Sequence, residues 1–235
     1  PLTLIGFANA VFAGPDRAVP QGTEYLQPGG TSLTNAVTYK VEYAADPDLV
    51  QFNGPALPLG HALGGTRPFE LAHTYLTPGD HLVRVGVFDA NGFLLGIDEA
   101  VVTVQNVAPV YTPPTTTQDG SAAAEAVIEL GTFSDPGTGD GPWTVAVIWG
   151  DGETSYIFNA QPGQALRASH QFAGFGGDDD AVYKSGEFLV GVVVFDKYDA
   201  ASEPRGLAVR VVPPPVTEPA RDDTPDQAVE GQEYV

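Results

Sequence analysis

Residues 143–155 read WTVAVIWGDGETS, an alternation of apolar and polar residues that runs into Gly150-Asp151-Gly152. Such alternation is typical of a β-strand with one buried face. Glycines on both sides of an aspartate favour a tight turn, because glycine accepts positive φ and the carboxylate accepts bonds from backbone amides. The stretch therefore predicts a β-hairpin with Trp149 in the core beneath it. The alternative interpretation of Asp151 is that its carboxylate is a metal ligand.

The composition limits what the chain can be. Its 235 residues are enough for two domains, and a hydrophobic content of 43% supports a packed core. Lys and Arg number 10 against 30 Asp and Glu, for a net charge of −20. This charge repels nucleic acid and anionic membrane surfaces and attracts cations. The sequence has no cysteine, which excludes disulfides and cysteine zinc sites, and no apolar run long enough for membrane insertion.

One pattern occurs twice along the chain. VRVGVFDANG at 83–92 resembles VGVVVFDKYD at 190–199, and upstream of these His73 aligns with His170. The second copy carries an insertion at about 173–184. Both copies are rich in alternating valines and turn residues, and neither offers an amphipathic helix. The predicted fold is therefore all-β, with two tandem immunoglobulin-like β-sandwiches joined by proline-rich linkers.

Domain boundaries follow from the repeat. We expect an N-terminal strand or linker at 1–12, a first sandwich at 13–106, a second at 107–212, and a linker with the start of a further repeat at 213–235. The run Pro113-Pro114-Thr115-Thr116-Thr117 predicts a stiff connector, because proline fixes φ.

The two ends read as strands without a sandwich of their own. TPDQAVEGQEYV at 224–235 resembles GPDRAVPQGTEYL at 14–26. Either the chain is a slice of a longer array, or an end strand is exchanged into the sheet of a neighbouring subunit.

Several short motifs occur in a fixed order in both copies. The second copy has TFSDPG at 132–137, WGDG at 149–152, His170 and VVVFD at 192–196; the first has GPDRAVPQG at 14–22, HTY at 73–75 and PGDH at 78–81. In this order and spacing, residues 13–212 resemble PKD-type domains, although the first copy has YAADPD at 43–48 where WGDG is expected. The resemblance implies a fold similar to fibronectin type III. It also implies an extracellular place in bacterial or archaeal surface proteins or secreted hydrolases, and a role without catalysis.

The acidic loops predict calcium as the cofactor, because calcium takes six to eight hard oxygen ligands. The candidate ligands are eight aspartates on loops of the second copy: Asp135, Asp140, Asp151, Asp178, Asp179, Asp180, Asp196 and Asp199. The equivalents in the first copy are Asp46, Asp48, Asp89 and Asn91. None of these matches an EF-hand loop, and solvated acidic loops are the alternative interpretation.

No residues point to catalysis. The chain lacks cysteine and the G-x-S-x-G motif, and His73 and His170 have no partners at zinc spacing, which favours structural histidines. Two sandwiches leave little room for a carboxylate dyad in an aromatic cleft. We therefore predict a protein that is not an enzyme.

The predicted function is that of an extracellular spacer, adhesion or assembly unit, stiffened by calcium and able to polymerise by strand addition. Its partners would be copies of itself or neighbouring repeats, arranged head to tail. The alternative is an accessory module of a secreted hydrolase that binds polysaccharide or extracellular matrix protein. Four aromatic residues are the candidates for that contact: Phe172, Phe175, Tyr183 and Tyr198.

Overall fold

A computed structural model describes residues 10–172 and 186–212 of the chain. These residues form sixteen β-strands and no helix, so none of them belongs to a helix that could cross a bilayer. The first eight strands are β1 (Val11–Phe12), β2 (Arg17–Pro20), β3 (Glu24–Thr31), β4 (Thr38–Glu42), β5 (Leu57–Pro58), β6 (Arg67–Thr74), β7 (Gly79–Phe88) and β8 (Leu94–Gln105). The other eight are β9 (Val110–Thr112), β10 (Gln118–Ser121), β11 (Ala126–Ser134), β12 (Trp143–Ile148), β13 (Thr154–Ala160), β14 (Leu166–His170), β15 (Gly186–Phe195) and β16 (Arg205–Val212).

The two halves of the chain share one topology, which confirms the tandem sandwiches. In the first half, a sheet in the order β1-β3-β6 accompanies a sheet in the order β2-β8-β7-β4-β5. In the second half, β9-β11-β14 accompanies β10-β16-β15-β12-β13, so each strand has its counterpart eight strands later. Even the parallel pairing of β2 with β8 recurs between β10 and β16.

Alternation along the long strands builds both cores. Val83, Val85 and Val87 of β7 are fully buried, as are Val190, Val192 and Val194 of β15. The hydrophobic effect favours this arrangement by about 1.5–3 kcal/mol for each large side chain removed from water. Trp149 lies at the centre of the second core with no exposed surface, which confirms the prediction for the WGDG hairpin.

The connection between the sandwiches is short. β8 ends at Gln105 and β9 begins at Val110, so only residues 106–109, including Pro109, join the two halves. The proline-rich run at 113–117, predicted to be a stiff connector, lies inside the second sandwich. That run lies between β9 and β10, and β9 already pairs with β11 inside the second sandwich. Loops of both sandwiches meet beside this joint: Gly22 lies against Pro136, Gly137 against Gln21, and Gly139 against Thr77.

Candidate metal centre

Three of the predicted aspartates converge beside the joint. Asp135, Asp140 and Asp196 each offer a carboxylate oxygen, and these oxygens all lie within 4.8 Å of one another. They come from two loops, one between β11 and β12 and one after β15. Within residues 10–172 and 186–212 this is the one group of three or more acidic, histidine or cysteine side chains close enough to share an ion.

Asp140 is the least satisfied member of the group. Its side chain has no exposed surface, and both carboxylate oxygens lack a hydrogen-bond partner. Burial raises its pKa above the ordinary value, and the charges of Asp135 and Asp196 raise it further. The Gln21 amide lies close enough to offset part of this rise, although its geometry is not that of a hydrogen bond. A buried carboxylate without a donor is costly, and a cation would remove that cost.

The other two carboxylates are held in place by their own loops. Asp135 accepts bonds from the Gly137 backbone N–H and the Trp143 indole N–H, both at 2.8 Å. Asp196 accepts bonds from the backbone N–H groups of Tyr198 at 2.8 Å and Ala200 at 2.9 Å. These turns fix the carboxylates as acceptors with lone pairs to spare.

Backbone contacts tie the two acidic loops together. The Lys197 N–H donates to the Asp140 carbonyl at 3.0 Å, and the Lys197 ammonium donates to the Gly139 carbonyl. A side chain at Gly137 would collide with Asp140 Oδ2 and Gln21 Nε2, so glycine is required where the loop passes the carboxylate. These contacts hold the two acidic loops against each other.

Two amide side chains at the joint extend the site. Asn106 donates from Nδ2 to Asp196 Oδ2 at 2.7 Å, and its own Oδ1 is buried without a partner. Gln21, from the first sandwich, is buried and donates from Nε2 to the Leu76 carbonyl at 2.8 Å. The sequence analysis missed both residues, although Asn106 follows the last strand of the first copy and could have been examined as a joint residue.

The donor set suits a hard divalent cation. The three carboxylates supply oxygen and no nitrogen or sulfur, which is the chemistry calcium prefers. Calcium also tolerates irregular geometry and completes its shell with carbonyls or water. Magnesium demands a stricter octahedron, so calcium is the better match for ligands from separate loops.

The other predicted ligands of the second copy that the structure describes do not belong to this group of three carboxylates. Asp151 Oδ2 lies 2.7 Å from His170 Nε2, and its Oδ1 accepts the Glu153 N–H within the hairpin. Asp199 is exposed in a turn with φ of 64°. Neither belongs to the three-carboxylate group. Asp178, Asp179 and Asp180 lie outside the described residues.

The first sandwich lacks the corresponding cluster in its described part. Asp89, the counterpart of Asp196, accepts bonds from Phe93 and Asn91, and the Phe93 N–H lowers the pKa of its carboxyl most. Residues 32–37 occupy the place of the β11–β12 loop and read SLTNAV, without an acid. Asp46 bonds its own turn at Asp48 N. One acidic position of the three therefore remains, which is too few for an ion.

The candidate binding aromatics are divided by burial. Phe172 is a core residue and not a contact for a partner, because its ring is 1% exposed and packs against Trp149 and Phe188. Tyr198 is exposed, with the Lys197 ammonium 4.8 Å from its ring centroid. Phe175 and Tyr183 lie outside the described residues.

Known structures with similar architecture are modules of the immunoglobulin-like class. The fibronectin(III)-like modules of Clostridium thermocellum CbhA are 15% identical, with 86% of this chain and 92% of that chain covered and a TM-score of 0.34. The PKD domain of an M14-like peptidase from a Thermoplasmatales archaeon is 25% identical over 44% of this chain and 92% of its own, with a TM-score of 0.32. The titin pair A168–A169 is 13% identical over 86% and 97%, with a TM-score of 0.40. No protein family and no curated protein matches the chain in sequence.

Proposed function

We propose that this chain is a non-catalytic structural module of an extracellular bacterial or archaeal surface protein, in which calcium fixes the joint between two sandwiches. The observation that carries the proposal is Asp140, which is fully buried, unpaired and grouped with two further carboxylates. A charge in this state is unfavourable without a counter-ion. Immunoglobulin-like folds are typically non-catalytic modules, which supports this part of the proposal.

The position of the site links ion binding to the joint. Asn106 stands at the start of the connection and bonds Asp196, while Gln21 of the first sandwich accepts the Val107 N–H at 3.4 Å. Gly22 lies against Pro136, where an added Cβ would meet the Pro136 ring carbon at 2.6 Å. All three carboxylates belong to the second sandwich, so an ion among them would act on the joint through Asn106 and Gln21, which approach the site from the connection and from the first sandwich. Binding therefore shifts the population towards a fixed angle between the sandwiches.

Distance measurements between the sandwiches test this proposal directly. Because the chain has no cysteine, spin labels can be attached at Leu63→Cys and Val127→Cys, two exposed positions in different sandwiches. We expect a narrow distance distribution in millimolar calcium and a broad one in chelator. Asp140→Asn should give a distribution that calcium does not change, whereas Asp199→Asn, a matched acidic loop variant outside the group, should behave like the parent chain. Equal distributions with and without calcium would contradict the proposed joint.

Self-assembly is the second part of the proposal. Among the described residues each sheet ends in edge strands, such as β1 and β6 in the first three-stranded sheet, so strand addition by another copy or a neighbouring repeat is geometrically available. Electron microscopy and sedimentation in calcium and in chelator should show long assemblies that shorten when calcium is removed. A rod-shaped monomer in both buffers would contradict polymerisation and would favour the function of a passive spacer.

The alternative function is an accessory module of a secreted hydrolase that grips polysaccharide or matrix protein. Exposed aromatic side chains such as Tyr198 favour it, since aromatic rings give large contact areas at low entropic cost. Pull-down on insoluble polysaccharide and on collagen tests this function. Retention on either support with a monomeric chain would favour a binding module over an assembly unit.

A further inference from the structure

The outer face of the β12-β13 sheet carries an exposed apolar surface that the metal centre does not explain. Phe158 is 68% exposed and Tyr156 is 58% exposed, both on the edge strand β13. Ile148 on β12 and Leu189 on β15 are also exposed. We call these four side chains the outer platform. Large apolar side chains grouped on a soluble surface mark a contact site more often than single ones do.

Strand register places these residues on one face. Tyr156 stands opposite Ala146, Phe158 opposite Thr144, and Ile148 opposite Gly191. The residues between the large side chains are small, so the platform is shallow and flat. The rings of Tyr156 and Phe158 lie 6.1 Å apart between centroids and 19° from parallel. The two rings are therefore neighbours and nearly parallel.

The first sandwich covers its own version of this face. Its β4–β5 connection carries Phe52, whose ring packs against Phe88 at 5.5 Å and lies over Gly86. The same connection supplies the Leu49 carbonyl to the buried Arg84. In the second sandwich, the tight hairpin at 149–153 replaces that long connection. The outer platform is therefore the uncovered counterpart of a face that is packed in the other copy.

The distribution of charge indicates what kind of ligand the outer platform can bind. The chain carries a net charge of −20, yet no residue of the outer platform or between its strands at Ala146, Thr144 and Gly191 is charged. The outer platform includes no calcium ligand that could offset the charge of a second copy, and an anionic polymer would also be repelled. An uncharged ligand avoids this cost. The flat faces of pyranose rings are apolar, and their hydroxyls can bond Thr144 and Thr154 beside the rings.

We propose that the outer platform, centred on Tyr156 and Phe158, binds a neutral β-linked polysaccharide by stacking sugar rings on the aromatic row. Equatorial hydroxyls leave both faces of such a sugar flat, which fits a shallow sheet surface better than a bent α-linked chain does. The site uses none of the calcium ligands. It can therefore succeed or fail independently of the calcium joint.

Native electrophoresis in gels that contain polysaccharide tests the site. The probes are hydroxyethyl cellulose and galactomannan, which are neutral, and carboxymethyl cellulose, which is an anionic polymer on the same backbone as the first. We expect retardation of the full chain in at least one neutral gel, with less in the anionic gel. The double variant Tyr156→Thr with Phe158→Thr keeps strand propensity and should bind about tenfold more weakly or worse. Phe93→Thr removes an equally exposed aromatic from a turn of the first sandwich and should bind like the parent.

Circular dichroism and thermal unfolding establish that each variant folds. An unretarded parent chain in both neutral gels would overturn the proposal, as would a double variant that binds like the parent. Sedimentation gives the remaining outcome: if the parent dimerises and the double variant is monomeric, the outer platform is an interface between copies and the polysaccharide assignment is wrong.

Discussion

The His170 imidazole lies against the Trp149 indole with 4.2 Å between ring centroids and 3° between ring planes. The same imidazole reaches Asp151 at 2.7 Å, so the aspartate of the hairpin turn is fixed from the neighbouring sheet. In the first sandwich, Tyr43 and His73 stack in the same way, at 4.3 Å and 11°. Ala45 stands where Asp151 stands in the second copy, so this position offers no carboxylate to His73.

Asp151→Ala should destabilise the second sandwich. The substitution leaves the buried His170 ring without its carboxylate and removes the acceptor for the Glu153 N–H. We expect a loss of about 1–3 kcal/mol in the free energy of unfolding, because a buried polar group is left unsatisfied. Urea unfolding followed by Trp fluorescence reports this sandwich, since both Trp143 and Trp149 lie in its core. A variant as stable as the parent would show that the bond between His170 and Asp151 does not contribute to the stability of the fold.

Ala44→Gly should stabilise the first sandwich. Ala44 has φ of 60° at the position that Gly150 occupies with φ of 83° in the second copy. Left-handed backbone costs a residue with a Cβ about 1–2 kcal/mol, which exceeds the entropy cost of glycine. The expected gain is therefore about 0.5–1 kcal/mol in thermal or urea unfolding. The reciprocal change Gly150→Ala should destabilise, because its Cβ would also meet the Leu189 carbonyl at 2.8 Å.

Much of the fold could be predicted from local sequence. The alternation at 143–148 and the GDG turn specify a hairpin, and the paired FD motifs reveal two copies with one topology. The outer platform was also within reach. With Trp149 inward, hairpin register forces Tyr156 and Phe158 to the opposite face. The strand β9, which precedes the proline-rich run at 113–117, was not predicted, because a strand of three residues is too short to show periodicity.

The metal centre could be predicted only in part. Acidic loops identified eight aspartates, but which three converge depends on how the β11–β12 loop meets the turn after β15. That meeting is set by long-range packing and by the Lys197 contacts to Asp140 and Gly139, and no local pattern encodes it. Gln21 is more than a hundred positions away from Asp140 in sequence, so only the folded joint reveals their proximity.

Mild acid should destabilise the first sandwich through His73. Burial lowers the pKa of this imidazole, and the nearby His81 lowers it further. A histidine whose folded pKa is depressed stabilises the fold fully above the unfolded value of about 6.5, and that stability is lost as pH falls below it. We expect His73→Gln to flatten the pH dependence between about 7 and 5. The check is a series of urea titrations of parent and variant; parallel curves would exclude His73 as the cause.

Asp140→Asn should have opposite effects with and without calcium. In chelator, the variant removes a buried unpaired charge that Asp135 and Asp196 repel, so it should be more stable than the parent by about 1 kcal/mol. In calcium, the parent should gain about 2.7 kcal/mol at one hundred times the dissociation constant, whereas the variant should gain little. Thermal unfolding in both buffers measures the four values.

Asp199→Asn is the matched control for that experiment. It removes one negative charge from the loop that follows β15 but lies outside the three-carboxylate group. Its calcium-dependent gain should equal that of the parent. If it loses the gain as Asp140→Asn does, the effect is due to overall charge and the assigned ligands are wrong.

As the pH is lowered, calcium affinity should begin to fall at a higher pH than the ordinary pKa of an aspartate would predict. Burial raises the pKa of Asp140, followed by the charges of Asp135 and Asp196, so this carboxyl takes up a proton at a higher pH than an exposed aspartate does. The ion requires the ionised form, and binding below that pKa must release one proton. Affinity should then fall by about tenfold for each pH unit below the raised pKa.

Calorimetric titrations in two buffers of different ionisation enthalpy measure both the affinity and the number of protons released. Near neutral pH we expect almost none, and at lower pH close to one. An affinity that stays constant until the pH reaches about 4, the ordinary aspartate value, would show that Asp140 is not a ligand.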